Sequence, residues 1–259
     1  MKHLRDDKAE LHYETTLAIS MQAMLSLVHD APHVFEPVRK ADEKIAAAFA
    51  SQGFHLYPTV VRTTLLYDER SDCFFKVLQP ITLKNRVLFT VKDRALQIFT
   101  LSEELRIKGI PVPKVMAYGK INKGHRPIFA MKRVSGRPLY DVLIRENRTL
   151  PHALLADVMR DIAKFHQSGY WFGDAHLSHI FIEESSVSGF IDIDSIRKNR
   201  RKGISNFAKD LAGLNHPRLP MTKDEKKELL GTYLQTMEIQ DTEEFLRAVK
   251  QYTERRWKA

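Results

Sequence analysis

Three runs of β-branched and aromatic residues occur between residues 59 and 134. A polar segment, DERSD at 68–72, separates the first two runs and predicts a turn between them. A helical stretch over 91–108, ended by Gly109, comes before the third run. The three runs predict strands over residues 59–67 (TVVRTTLLY), 73–78 (CFFKVL) and 128–134 (IFAMKRV).

Elsewhere the apolar positions follow helical spacing. Residues from about 8 to 50 are predicted to be helical, and Thr222 with Glu225 forms a capping-box pattern before a later helix. Gly169 ends a helix that carries a regular apolar stripe. The second half of the chain is therefore predicted to contain helices ending at 169 and spanning 226–237 and 242–257, with short strands over 179–182 and 189–193.

This order of elements predicts an α+β protein with two lobes and a cleft between them. Residues 1–50 are expected to form an N-terminal helical extension. Residues 51–134 are expected to form a strand-rich lobe, and residues 135–259 a helix-rich lobe.

Composition narrows the class of protein. Apolar residues make up 43% of the 259 residues and charged residues 28%, which is typical of a globular domain. Cys73 is the single cysteine, so an intrachain disulfide and a cysteine-rich metal site are both excluded. The nearly uncharged stretch 15–28 is too short to cross a bilayer and does not resemble a signal peptide. We therefore expect a cytoplasmic protein.

The net charge of +9 favours anionic partners. No zinc knuckle or aromatic RNA-binding signature accompanies the charge, so a nucleic-acid partner is not expected. Phosphorylated ligands and an anionic membrane surface remain as partners that would suit such a charge.

Two acidic residues follow the long helix of the second half at positions suited to phosphoryl transfer. Asp174 is predicted in a loop after that helix, and Asp192 stands between Ile191 and Ile193 in an apolar run. An acid in such a run is costly unless it is paired or holds a metal ion. Transfer from ATP needs one carboxylate to receive the proton of the attacking hydroxyl and another to hold Mg²⁺. The spacing therefore predicts a kinase site.

The segments GDAHLSHIFI and GFIDIDSIR resemble those of the lipopolysaccharide core kinases, which belong to the protein-kinase-like superfamily. Those enzymes phosphorylate heptose or Kdo sugars of the inner core. The resemblance implies a bilobal protein-kinase-like fold, ATP and Mg²⁺ as cofactors, and a core glycolipid as partner. It also implies a place at the inner face of the inner membrane.

The resemblance also implies roles for individual residues. Asp174 corresponds to the catalytic base, and Asp192 to the Mg²⁺ ligand. His179 takes the second metal position, where most kinases carry Asn. Lys76, in FFKVL, corresponds to the lysine that contacts the ATP phosphates, and Asp210, in NFAKDLAGL, to a structural anchor.

The chain departs from the kinase pattern in three places. Residues 54–62 contain no glycine, so no Gly-rich phosphate loop precedes the lysine strand. Gln97 stands near the place of the acid that would pair with Lys76. Gly173 replaces the Arg of phosphorylation-regulated kinases, which favours a small-molecule or glycan acceptor. Two alternatives stay open: a small-molecule kinase of the aminoglycoside or choline type, and a non-catalytic nucleotide-binding pseudokinase.

A basic run, Lys198-Asn-Arg-Arg-Lys202, follows Asp192 closely. Arg200 and Arg201 are candidate contacts for a phosphorylated and carboxylated acceptor, although such a run can also be a solvated face. The last helix is also rich in Arg and Lys, and could lie on an anionic membrane or pack as an ordinary amphipathic helix.

Overall fold

The computed structural model describes residues 1–38, 42–57, 61–122, 125–200 and 203–258. The chain divides into two compact units. The first comprises Met1–Glu104 and Pro113–Arg133, and the second comprises Leu105–Val112 and Val134–Ala259. The domain bounds 1–50, 51–134 and 135–259 stay a prediction.

The first unit contains, in chain order, β1 (Lys2–Arg5), β2 (Ala9–Tyr13), α1 (Ala18–Asp30), α2 (Glu43–Ser51), β3 (Phe54–Leu56), β4 (Thr63–Asp68), β5 (Cys73–Leu78), α3 (Leu83–Val91), α4 (Arg94–Ile107), β6 (Val115–Ile121) and β7 (Arg126–Lys132). Its strands form one seven-stranded antiparallel sheet with the order β1-β2-β6-β7-β5-β4-β3. The last residues of α4 belong to the second unit.

One face of this sheet carries the core of the first unit. Phe75 and Val77 of β5 are fully buried there, against side chains of α1 and α2 that include Met24 and Phe49. Successive residues of a strand point to opposite faces. Lys76 therefore projects from the other face of the sheet, and it is half-buried.

A buried acid fixes the turn that leads into β5. Asp68, at the end of β4, accepts hydrogen bonds from the hydroxyls of Ser20 and Ser71 and from Nε of Arg70. Burial acts to raise the pKa of the Asp68 carboxyl, but these three donors outweigh it and hold that pKa below its ordinary value. The carboxylate ties α1 to the hairpin that carries Lys76.

The prediction that the chain begins with a helical extension is wrong for its first residues. The segment Ala9–Tyr13 forms β2 because Ala9 and Leu11 are buried while Glu10 and His12 are not, which is the period of a strand. This alternation is only five residues long. Helices α1 and α2 do occupy the later part of the predicted stretch.

The helix predicted over 91–108 is present as α4, Arg94–Ile107, and it is preceded by a helix that was not predicted, α3. Lys92 and Asp93 separate the two helices, and the Asp93 carboxylate accepts the backbone N–H of Leu96 at 2.9 Å. An acidic side chain that accepts a hydrogen bond from the backbone N–H three residues later caps the N-terminus of a helix. By contrast, β5 has the predicted bounds, 73–78.

The second unit is mainly helical. Its elements are β8 (Arg137–Pro138), α5 (His152–Gln167), β9 (Tyr170–Trp171), β10 (Ile180–Glu183), β11 (Ser186–Phe190), β12 (Arg197–Lys198), α6 (Ser205–Leu214), α7 (Lys223–Met237) and α8 (Thr242–Arg256). The strands form two small sheets of order β11-β10-β8 and β12-β9. The predicted capping box at Thr222 and Glu225 is present at the start of α7.

The large antiparallel sheet lies in the first unit and most of the second unit is helical, so the predicted α+β class is confirmed. Among the helices in the described part of the chain, none combines the length and the apolar character needed to cross a bilayer.

Candidate active site

Two pairs of strands join the segments that carry the predicted catalytic and metal residues. Asp174 follows β9, and β12 returns to pair with β9 after the chain has passed Asp192. His179 immediately precedes β10, which pairs with β11. The N–H of Ile191 also donates to the carbonyl of His179 at 2.9 Å. The two segments are thus held together at both ends, by backbone hydrogen bonds.

Asp192 lies beyond the end of its strand, which corrects the strand predicted over 189–193. β11 ends at Phe190, and Asp192 has φ 67° and ψ 43°, in the left-handed region. Its carbonyl accepts from the N–H of Ser195 at 2.9 Å and from the Ser195 hydroxyl at 2.8 Å, which closes a tight turn. A non-glycine residue persists in this region only where its surroundings hold it there. The half-buried carboxylate is therefore presented by a turn.

Gly173 explains why the residue before Asp174 is not an arginine. Its φ is +80°, and a Cβ at this position would lie 2.4 Å from the carbonyl oxygen of Ser195. The loop that carries Asp174 therefore touches the turn that follows Asp192. Only glycine satisfies both the backbone angle and the close approach.

A buried hydrogen-bonded chain holds the backbone just before Asp174. The Asp210 carboxylate of α6 accepts the N–H of Phe172 at 2.6 Å and lies 3.2 Å from Nε2 of His166. Nδ1 of His166 lies 2.7 Å from the hydroxyl of Tyr233. Burial raises the pKa of Tyr233, so its hydroxyl keeps its proton and can donate to Nδ1 of His166. The Asp210 carboxylate can only accept at Nε2 of His166, and Asp210 is an anchor for the loop.

The two histidines of the loop use Nδ1 in opposite ways. His179 Nδ1 lies 3.1 Å from the carbonyl oxygen of Asp174, which can only accept, so Nδ1 donates and Nε2 is not engaged in this contact. His176 Nδ1 accepts the N–H of Ser178 at 3.2 Å, so its proton is on Nε2. Burial, with His179 and Arg256 nearby, lowers the pKa of His176 and favours its neutral form.

Arg256 is a site residue that sequence reasoning missed. Its Nη2 donates to the exposed Asp174 carboxylate at 3.2 Å and to the carbonyl of Ala175 at 3.1 Å. Trp257 secures the end of α8, since its indole N–H donates to the carbonyl of Ala212 at 2.9 Å. The sequence indicated only that Arg256 belongs to a basic final helix, because 82 residues separate it from Asp174 and no local pattern joins them.

The remaining predicted site residues are Lys76, Arg200 and Arg201. Lys76 belongs to the first unit, on β5. Arg200 is exposed after β12, and Arg201 lies outside the described residues. Within the described ranges, the clusters of three potential metal ligands whose donor atoms lie within 4.8 Å of one another are His3–Glu10–His12 and Asp6–Asp7–His29, so the predicted metal residues form no such cluster.

A family model described as the lipopolysaccharide kinase (Kdo/WaaP) family matches residues 82–233, more than half of the chain. The chain belongs to this family. The match contains Asp174, His179, Asp192 and Asp210, and it confirms the resemblance seen in the catalytic-loop sequence. It also confirms the predicted class of enzyme, since the family is one of kinases and hence of phosphotransferases.

Several solved structures are similar to this chain. WbdD, a bifunctional kinase-methyltransferase, is 14% identical with a TM-score of 0.47, covering 74% of this chain and 47% of its own. An aminoglycoside-3'-phosphotransferase of type VIII is 17% identical, with a TM-score of 0.48, and the match covers 77% of this chain and 94% of that protein's chain. Vaccinia related kinase 3 is 12% identical, with a TM-score of 0.39, and the match covers 76% of this chain and 70% of that protein's chain. The present chain spans about half the length of WbdD. No curated protein sequence matches the present chain.

The contact at Gly173 can be tested against a matched glycine. Gly169 has a similar φ of +89°, but a Cβ there would have no neighbour within 4 Å. Gly169→Ala should therefore lower the free energy of unfolding only by the strain of a positive φ, about 1–2 kcal/mol. Gly173→Ala should lower the free energy of unfolding by more than this and should also lower phosphotransferase activity, because the loop must move away from Ser195. Chemical denaturation and turnover of both variants measure this, and equal losses would contradict the contact.

Proposed function

We propose that the protein is an ATP-dependent kinase that phosphorylates a sugar hydroxyl of the lipopolysaccharide inner core, on heptose or Kdo, at the inner face of the inner membrane. The observation that carries the proposal is the backbone pairing that joins the segments of Asp174 and Asp192. The family match covers both segments and supports the class of acceptor.

Asp174 is proposed as the base that orients the sugar hydroxyl and receives its proton. Its carboxylate is 66% exposed, so an acceptor can reach it. Arg256 and the loop backbone restrict its position, and a hydrogen-bonded carboxylate is oriented better than a mobile one. The same guanidinium places a positive charge where an anionic acceptor would approach.

The ligand atoms offered by Asp192 and His179 suit a divalent metal ion. Carboxylate oxygen is a preferred ligand of Mg²⁺, which in phosphoryl-transfer sites completes its shell with phosphate oxygens and water. The Asp192 carboxylate and the Nε2 lone pair of His179 would hold the ion, and Lys76 would contact the phosphates of ATP. Bound Mg²⁺ would neutralise charge that develops on the transferred phosphoryl group.

The basic run after β12 is proposed to contact the acceptor. An inner-core glycolipid carries carboxylates and phosphates, and clustered Arg and Lys side chains raise the local concentration of such an anion. Arg200 is exposed, as this role requires. The aminoglycoside type of acceptor is cationic and would be repelled.

The decisive experiment uses labelled ATP and a panel of dephosphorylated core glycolipids. Wild-type protein should label one of them in the presence of Mg²⁺. Asp192→Ala should abolish transfer, and Asp174→Ala should lower turnover by about 10²–10⁴-fold while ATP still binds. Circular dichroism should show that both variants are folded. Labelling of an aminoglycoside or choline instead, or ATP binding without any transfer, would favour the alternatives and contradict the proposal.

The proposed role of His179 predicts a change in metal preference. His179→Asn replaces a nitrogen ligand by an amide oxygen, so activity with Mn²⁺ should fall relative to activity with Mg²⁺. His176→Asn is the control, because Nδ1 of His176 is already bonded to Ser178. The ratio of the two metal-supported rates is measured for each variant. An unchanged ratio in His179→Asn would remove this residue from the metal site.

The role of the basic run predicts an effect on one substrate only. Arg200→Ala with Arg201→Ala should raise the KM for glycolipid and weaken its dependence on salt, while the KM for ATP changes little. Lys223→Ala with Lys227→Ala removes the same charge from exposed positions of α7 and serves as the control. If both pairs behave alike, the run is a solvated face.

A further inference from the structure

Helix α3 of the first unit exposes an apolar stripe. Leu83, Val87 and Val91 follow one another at intervals of four residues, and their exposed fractions are 77%, 57% and 76%. Positions four apart lie on the same face of a helix. Leu88, 37% exposed, extends the same depression of the surface. Isolated exposed apolar side chains are ordinary, but a contiguous stripe of this kind marks an interaction surface.

A basic pocket adjoins this stripe within the first unit. Val87 and Val91 form part of its wall. The remaining wall is formed by Glu36, Pro80, Arg86, Asn122, His125 and Arg126. Pocket and stripe therefore share two residues and form one continuous surface, which we name the α3 surface.

Arg126 gives the pocket an unsatisfied donor. The side chain is 9% exposed, and its Nη2 pairs with the Glu36 carboxylate at 2.7 Å. Its Nε has no hydrogen-bond partner in the structure as described. A buried donor without a partner is costly, and a guanidinium edge is suited to phosphate oxygens. The two arginines of the pocket thus suit a phosphate group, and they are opposed by the Glu36 carboxylate and by Oδ1 of Asn122, which also has no hydrogen-bond partner among the described residues.

The charged residues of the segment that carries the stripe have one sign. Residues 80–92 include Lys84, Arg86 and Lys92 and no acid. Lys84 and Lys92 are exposed. The next acid, Asp93, pairs with Lys120 at 3.3 Å. Exposed apolar side chains between basic ones are typical of segments that lie in the interface of an anionic bilayer.

We propose that the α3 surface binds a bilayer that contains anionic phospholipid. The stripe enters the interface between head groups and acyl chains, and a lipid phosphate occupies the pocket at Arg126. A second copy of the chain fits less well, because two such surfaces would bring like charges together. Free phosphate would account for the pocket but not for the apolar stripe. This inference goes beyond the proposed kinase activity.

Vesicle sedimentation without nucleotide or acceptor tests the proposal. The protein should sediment with vesicles of phosphatidylcholine and phosphatidylglycerol, less with phosphatidylcholine alone, and less at high salt. Leu83→Ser with Val91→Ser should weaken the partition at least about tenfold. Ile107→Ser, at a position 85% exposed at the end of α4, is the control and should bind as wild type does.

The pocket is tested separately from the stripe. Arg126→Gln should reduce the preference for anionic over neutral vesicles. If that variant does not fold, Glu36→Gln serves instead, because it frees Nη2 of Arg126 and should strengthen binding to anionic vesicles. Absence of wild-type binding, or full binding by Leu83→Ser with Val91→Ser, would overturn the proposal. So would a dimer in sedimentation velocity that this double variant dissociates. None of these results bears on phosphoryl transfer, which is measured with its own substrates.

Discussion

The hydrogen bond from the backbone of Phe172 to the buried carboxylate of Asp210 is the constraint on which the candidate site depends. It fixes the chain two residues before Asp174, and the carboxylate is itself held through His166 and Tyr233. A buried carboxylate is stable only when such donors surround it, so α5, α6 and α7 are tied to the loop by the same few contacts. The position of the exposed acid is thus determined from the interior of the unit.

Backbone geometry, more than side-chain packing, shapes the segments around the two acids. Asp192 is held in a left-handed conformation by its carbonyl contacts with Ser195, and Gly173 lies against the same residue. Neither acid belongs to a regular strand or helix. Tight turns of this kind leave carboxylate oxygens accessible while the main chain stays fixed, which is a requirement for groups that must orient a substrate.

The sequence was sufficient where a single local pattern determines the structure. The strand Cys73–Leu78 and the capping box before α7 could be predicted because each depends on neighbouring residues. The hairpin of β1 and β2 could not, since its alternation is short and its pairing with β6 is distant in sequence. Arg256 was missed as a site residue for the same reason. The motif that predicts a catalytic loop pointed to Asp174 and Asp192, whose roles stay a prediction, and the turn at Asp192 depends on hydrogen bonds that residue identity does not reveal.

The two tryptophans give the second unit an intrinsic fluorescence probe. The chain has two, Trp171 in β9 and Trp257 at the end of α8. The first comes three residues before the exposed acid, and the second directly follows the arginine that contacts it. Indole emission responds to the polarity and to the charges around the ring. Ultraviolet fluorescence of the unmodified protein should therefore report events at this loop, with no attached dye and little background from the first unit.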